Sequence, residues 1–484
     1  MIGTNIVGVY KRECDYPTKN QTFRPSINYP EYKANDITAE NNDVYDAVRE
    51  AIKLLGLDAE HMGTDKWNPL GKFITPGMTV LIKPNMVIDV NKSGYGTDCL
   101  YTHPSVIAPI IDYTLLALEG SGKIIIGDAP VQECNFQNLI NNSGYEKLIL
   151  YYKSRGIDID LVDFRGIVSS AQDGIYIPKE NKQSKGILVN LGNNSEFSIL
   201  SEDLKNRLRV TNYNPHDIIS HHKGDDNEYL ISEYVLIADV IINVPKPKTH
   251  RIAGMTGSLK NFVGANVRKE YLPHHIMGEN KTGGDESDAN GLILKARSYC
   301  LDQKNIYQGE KKYIRTRMFL LFVRILSFLM NHKSKNREGC WYGNNTISKT
   351  VTDINKIIYY SDKCGKMQNT PQREILIIAD MIISGEGNGP LNPSPVNTGI
   401  IMIGTNPVYV DETIARIMGF DSTKIPTLKN VKKMVSKAYS LVDTKKEAIV
   451  YSNARQYNKN LLTKITEGLF HFKPAEGWMS HIEL

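Results

Sequence analysis

The sequence predicts an α/β fold: a mainly parallel sheet covered by helices, with a polar, partly β insertion and a helical insertion. Strand-like and helix-like periodicities alternate over residues 1–168. The strand-like runs Val80-Leu-Ile82 and Ile124-Ile-Ile126 are continuously apolar, as strands are when helices cover both faces of a parallel sheet. At 484 residues the chain exceeds one simple core, so two or three units, or one large domain with insertions, are expected.

Asn5–Val9 reads as the first strand, Val44–Leu55 as a helix, Thr79–Lys83 as a strand, Pro104–Leu118 as a helix, and Lys123–Gly127 and Asp158–Asp163 as further strands of a core first part, 1–168. Residues 169–229 form the polar insertion, rich in Asn, Ser, Lys and Asp, with an alternating piece at Gly186–Asn190. The sheet pattern resumes at Tyr234–Val244, within a core strand and site loop, 230–265. A mostly helical insertion, 266–367, precedes the last part of the core, 368–428, with strands at Glu374–Ala379 and Gly399–Gly404 and a helix at Val408–Met418. The tail, 429–484, carries no assignable pattern.

The formal charge of +5 arises from 58 basic and 53 acidic residues without a long basic run, which argues against nucleic-acid binding. Positive character is local instead: Lys246, Lys248, Arg251, Lys260, Arg268 and Lys269 share one short stretch, which suits a small anionic substrate. The six cysteines show no C-x-x-C pair, so no chain-encoded iron–sulfur cluster is expected, and their low density suits reduced thiols in a cytoplasm. Met1–Arg12 lacks the layout of a secretory leader. Met318–Met330 is interrupted by Arg324 and shorter than the ~20 apolar residues of a spanning helix. Its flanks, Arg315, Arg317, His332, Lys333 and Lys335, would suit peripheral membrane contact, but a packing helix or an oligomer contact is the preferred reading.

Ligands of open α/β sheets gather beyond the carboxyl ends of the strands. Four such ends carry polar or Gly/Pro-rich loops: Lys83-Pro-Asn85, Gly127-Asp-Ala-Pro130, Pro245 to Lys260, and Gly385-Glu-Gly-Asn-Gly-Pro390. The third holds His250, a Gly-rich turn with Gly254 and Gly257, and Lys260 ten residues after the histidine. A histidine exchanges protons near neutrality, a lysine pairs with anions or forms adducts, and glycines admit close backbone approach. His103 precedes a helix opening at Pro104, which would keep its ring neutral. The candidate catalytic residues are therefore His103, His250 and Lys260, and the candidate anion ligands Lys83, Asn85, Asp128, Lys246, Lys248, Arg268, Glu386 and Asn388. His275, beside His274, is a candidate metal ligand, whereas His216, His221 and His222 read as structural. P-loop, dinucleotide-binding and serine-hydrolase motifs are missing from suitable contexts.

Val80–Asn85, Thr102-His-Pro104, Gly127–Pro130, Ala238–His250, Gly257–Gly264, Gly385–Pro390 and Pro407–Asp411 together resemble the domain-of-unknown-function family numbered 362. Some members are labelled iron–sulfur centre proteins; the ferredoxin-like cysteine cluster behind that label does not occur here. A more distant resemblance is to the nickel-pincer lactate racemases, with a histidine, a Gly-rich turn and a lysine ten positions on. It implies a metal-bearing nucleotide on Lys260, His275 near the metal, and proton exchange by His103 and His250 during racemisation or epimerisation at a hydroxyl-bearing carbon. Ser258-Leu259 stands where that family has a glycine pair. The leading expectation is thus an enzyme, an isomerase of this kind or an oxidoreductase, acting on a small anionic or hydroxylated metabolite. A redox or metal-handling protein and a non-catalytic anion-binding protein are the alternatives.

Overall fold

The computed structural model describes residues 3–17, 23–34, 36–172, 174–288, 291–330 and 337–484. His332, Lys333 and Lys335, named above as basic flanks, lie outside the described residues. The sheet strands are β1 (Ile6–Lys11), β2 (Thr79–Pro84), β3 (Lys123–Asp128), β4 (Ile159–Asp163), β5 (Val240–Val244), β6 (Lys248–His250), β7 (Gly254–Thr256), β8 (Glu374–Asn388), β9 (Asn392–Gly404) and β10 (Ile449–Ser452). Their order is β10-β1-β9-β8-β5-β2-β3-β4, with the β6–β7 hairpin joined to β8. Along this path β9 alone runs against its neighbours. The expected α/β architecture with a mainly parallel sheet is the one found.

Successive side chains of a strand point to opposite faces, and here both faces are buried. Leu81, Ile125 and Ile241 pack with Thr346–Tyr360 and Pro407–Met418, while Val80, Ile82, Ile124, Ile126 and Ile242 pack with Asp43–Lys53, Pro104–Leu118 and Tyr145–Ser154. Double coverage explains the continuous apolar runs. β2 and β5 are adjacent, and the chain builds outward from β2 to β4 on one side and from β5 to β8 on the other. This is a topological switch point, where loops diverge and open a crevice at the strand ends.

Several boundaries differ from the sequence reading. Tyr234–Val244 divides into a helical turn, Glu233–Ile237, and the strand β5, because the Asp239 carboxylate accepts the Thr79 backbone N–H at 2.9 Å and starts the sheet there. The strand expected at Glu374–Ala379 continues to Asn388, since β9 pairs with it nearly to its end. Gly385–Asn388 is therefore strand, not a free loop, and the turn is confined to Gly389–Leu391, with a cis Gly389–Pro390 bond. Thr346–Tyr360, inside the stretch read as a helical insertion, is a core helix. The unassigned tail adds β10 to the sheet edge and buries Trp478 against Gly254.

Candidate functional site

Beyond the ends of β2, β3, β5 and β8 lies a cavity of about 780 Å³, whose lining includes Asn85, Asp128, Lys248, His250, Lys260, Arg268 and Asn388 from the sequence-derived set. Lys269 and His274 line it too. Lys83, His103, Lys246, His275 and Glu386 do not belong to the lining.

Lys260 is the best-supported member of the site. It sits on the one-turn helix Ser258–Asn261, whose first N–H groups are capped from across the chain by Asp411. The Asp411 carboxylate accepts the Ser258 N–H at 2.6 Å, the Ser258 hydroxyl at 2.5 Å and the Leu259 N–H at 3.0 Å. A Cβ on Gly257 would lie 2.3 Å from that carboxylate, and Gly254, at φ +79°, abuts Trp478. The glycines of the turn thus admit scaffold side chains, not ligand as expected. Burial pushes the Asp411 carboxyl up to about 6.

Among the described residues the Lys260 amine has no hydrogen-bond or ion-pair partner; the residue is partly buried and lines the cavity. Desolvation, aided by the neighbouring Lys269 and Lys83, lowers its pKa to about 7. Burial, with the adjacent Lys246 charge, likewise takes Lys248 to about 7, and burial takes Lys269 to about 8. Lys248 donates to Asn85 Oδ1 at 2.7 Å and Lys269 to the Ala129 carbonyl at 3.2 Å, so neither meets a carboxylate. Asn85 donates in turn to Asn261, and Asn261 to Asn243 of β5, an amide chain that ties the site to the strand ends.

Asp128 is already committed. It accepts from the Lys83 amine at 2.7 Å and from the Met86 and Ala129 N–H groups. Gly264 is pressed so closely against it that a Cβ would fall 1.9 Å from its oxygen. Lys83 and Asp128 are therefore a buried pair, with Asp128 in the cavity wall and Lys83 behind it.

The imidazoles differ in tautomer. His250 Nδ1 accepts the N–H groups of Ile252 at 3.0 Å and Ala253 at 3.2 Å, leaving the proton on Nε2; burial and then Lys260 hold its pKa well below the usual histidine value. His274 is the reverse: Nδ1 donates to the Leu272 carbonyl at 2.6 Å, so Nε2 keeps a lone pair. Burial and Lys260 depress His274 to about 3. His275, weighed as a metal ligand, is buried in a short strand pair with Arg209, and among the described residues its Nδ1 has no hydrogen bond.

His103 belongs to a second cluster. Its ring stacks on Tyr16 at 4.1 Å, and its Nδ1 caps the following helix by accepting the Ser105 N–H. Burial, reinforced by Lys246, lowers its pKa to about 3. Beside it Lys246 donates to Tyr16 at 2.5 Å and to Asp380 at 3.1 Å, and Tyr16 itself donates to Asp380. Glu386, expected as acid, base or ligand, accepts the Lys473 N–H, and Asn388 accepts the Glu476 N–H. Both fasten the C-terminal tail, because the long β8–β9 hairpin carries them out to it. Arg268 reaches the cavity while pairing with Glu180 and Glu270.

The candidate residues drawn from the sequence omit Lys269, although it lies in the basic stretch, and include His274 only as the neighbour of His275. Asp411 was visible only as a member of a matching stretch; its link to Ser258 spans 153 positions.

The fold and site define a mainly parallel α/β protein with a ligand-sized cavity of mixed charge at its topological switch point. The chain belongs to the family described as domain of unknown function DUF362, whose model matches residues 80–190 and 193–416. It is also similar to "Thylakoid-associated protein sll1697" of Synechocystis sp., at 28% identity over 240 residues, 50% of this chain and 54% of the relative. The match therefore spans about half the length of that curated relative.

Proposed function

We propose that this chain is an enzyme acting on a small metabolite bearing a phosphate or carboxylate, and that Lys260 is its proton-exchanging group, with the neutral His274 lining the same cavity. The observation that carries this is Lys260: an amine without a partner among the described residues, brought near neutrality by burial and like charges, lining a cavity with Lys248 and Lys269. Three lysines without carboxylate partners form an unfavourable arrangement that a bound anion relieves. In this reading Lys248 and Lys269 hold the anionic group, and the Nε2–H of His250 donates to oxygen charge developing in the transition state. The Lys260 amine then takes and returns a carbon-bound proton while the neutral His274 Nε2 accepts a hydrogen bond from a substrate hydroxyl, chemistry that suits racemisation or epimerisation at a hydroxyl-bearing carbon.

A second reading is supported by the same two groups. Lys260 could anchor a metal-bearing nucleotide covalently, and the free Nε2 of His274 suits a metal better than the Nε2–H of His250 does. Such a group would supply hydride acceptance. Intact mass of natively expressed protein tests it: an adduct on Lys260 supports the reading, and unmodified, active protein removes it.

The proton-exchange reading is tested with a panel of phosphorylated and carboxylated hydroxy acids in deuterated water, following loss of carbon-bound proton signals by NMR. Exchange with at least one member is expected, falling by roughly 100-fold or more in Lys260→Met and His274→Gln. Exchange unaffected by either substitution would sink the assignment. The relative's name ties that protein to thylakoids; for this chain we propose a cytoplasmic location, supported by six free cysteines. No helix among the described residues is long and apolar enough to cross a membrane.

A further inference from the structure

The stretch Met318–Met330 falls in the second helix of a hairpin, Leu292–Gly309 followed by Tyr313–Leu329. The second helix turns Thr316 and Val323 inward. Its opposite face carries Ile314, Met318, Leu321, Phe322, Ile325, Phe328 and Leu329, all exposed, with Ile314 at 87% and Phe328 at 84%. At 3.6 residues per turn these seven side chains fall within an arc of about 120°. Arg315 borders one edge of that arc, and Arg317 and Arg324 border the other; all three are exposed. The helix contains no Asp or Glu.

We infer that this face docks on an anionic lipid surface. An apolar arc flanked on both sides by arginines is what lies flat in a bilayer interface, the large side chains entering the acyl boundary while the guanidinium groups reach back to headgroup phosphates. A second copy of the chain fits less well, because paired helices would bring like-charged borders together with no acidic side chain on the helix to offset them. The first helix of the hairpin supplies Arg297, Asn305, Gln308 and Gly309 to the cavity wall, so docking would hold the cavity beside the surface.

Flotation with vesicles tests the assignment on the full chain. Recovery with vesicles of phosphatidylcholine containing phosphatidylglycerol is expected, and little recovery with phosphatidylcholine alone. The double variant Leu321→Gln/Phe328→Gln, altering exposed positions only, should reduce binding by roughly 100-fold. Arg315→Gln/Arg317→Gln/Arg324→Gln should reduce it by a similar order and remove its salt sensitivity. Unchanged melting midpoints would show that both variants are folded. Absence of vesicle recovery, or equal recovery by wild type and variants, would overturn the inference. Self-association abolished by the same substitutions without vesicle binding would overturn it in favour of a second copy. The Lys260→Met variant should float like wild type, which separates this surface from the cavity's function.

Discussion

Lys246 and Lys260 lie on either side of the β6–β7 hairpin, yet their surroundings are opposites. Lys246 is completely buried with Asp380 and Tyr16 as partners, as Lys83 is with Asp128 and Lys356 with Glu196 and Asp353. Among the described residues Lys260 has no such partner, and Lys248 and Lys269 meet only neutral oxygens. The first group completes its own electrostatics within the fold. The second leaves three amines without a paired carboxylate, among the described residues, at a cavity whose wall also carries Glu133, Glu270 and Glu338.

Breaking the paired set should cost the most. Lys246→Met would leave Asp380 buried without its counter-charge, an expected loss of about 3–5 kcal/mol in denaturant unfolding. A loss under 1 kcal/mol would erase the distinction between the two sets. Next comes the support of the unpaired set. Asp411→Asn keeps the shape but weakens the charge-assisted bonds to Ser258 and Leu259, with an expected cost of about 1–3 kcal/mol. It should also raise the concentration of inorganic phosphate needed for half-maximal stabilisation, because the helix carrying Lys260 loosens. Unaltered phosphate affinity would show that the cap does not position the lysine.

Residues whose role is local were legible in the sequence, and residues whose role depends on distant partners were not. The apolar run of β5 and the basic stretch after it announce a strand end and a local cluster of basic side chains without reference to the rest of the chain. Gly385–Pro390 was misread because glycine and proline signal a loop locally, whereas the pairing of Gly385 with Pro395 keeps the segment in a strand. The tautomers of His250 and His274 depend on which backbone group each ring meets, and sequence spacing does not encode that. Nor could Trp478 in the tail be foreseen as the packing partner of Gly254.

A smaller effect gives the sharpest test of the unpaired set. Lys260→Met removes an amine that the fold holds at a cost, so without ligand it should melt a few degrees higher than wild type at pH 6.5, with weaker stabilisation on adding phosphate, which Lys248 and Lys269 still hold. The sign of its pH dependence follows from protons bound. The folded pKa is about 7, while an unfolded lysine titrates near ~10.4. Between these values the unfolded chain binds more protons, so the folded state gains stability as pH rises through the window. The advantage of Lys260→Met over wild type should therefore be full below pH 7 and shrink steadily toward pH 10. An advantage that is constant with pH would assign the stabilisation to better packing of the methionine. An advantage that vanishes once phosphate is added to the wild type would show that the anion, not the solvent, is the partner this lysine lacks.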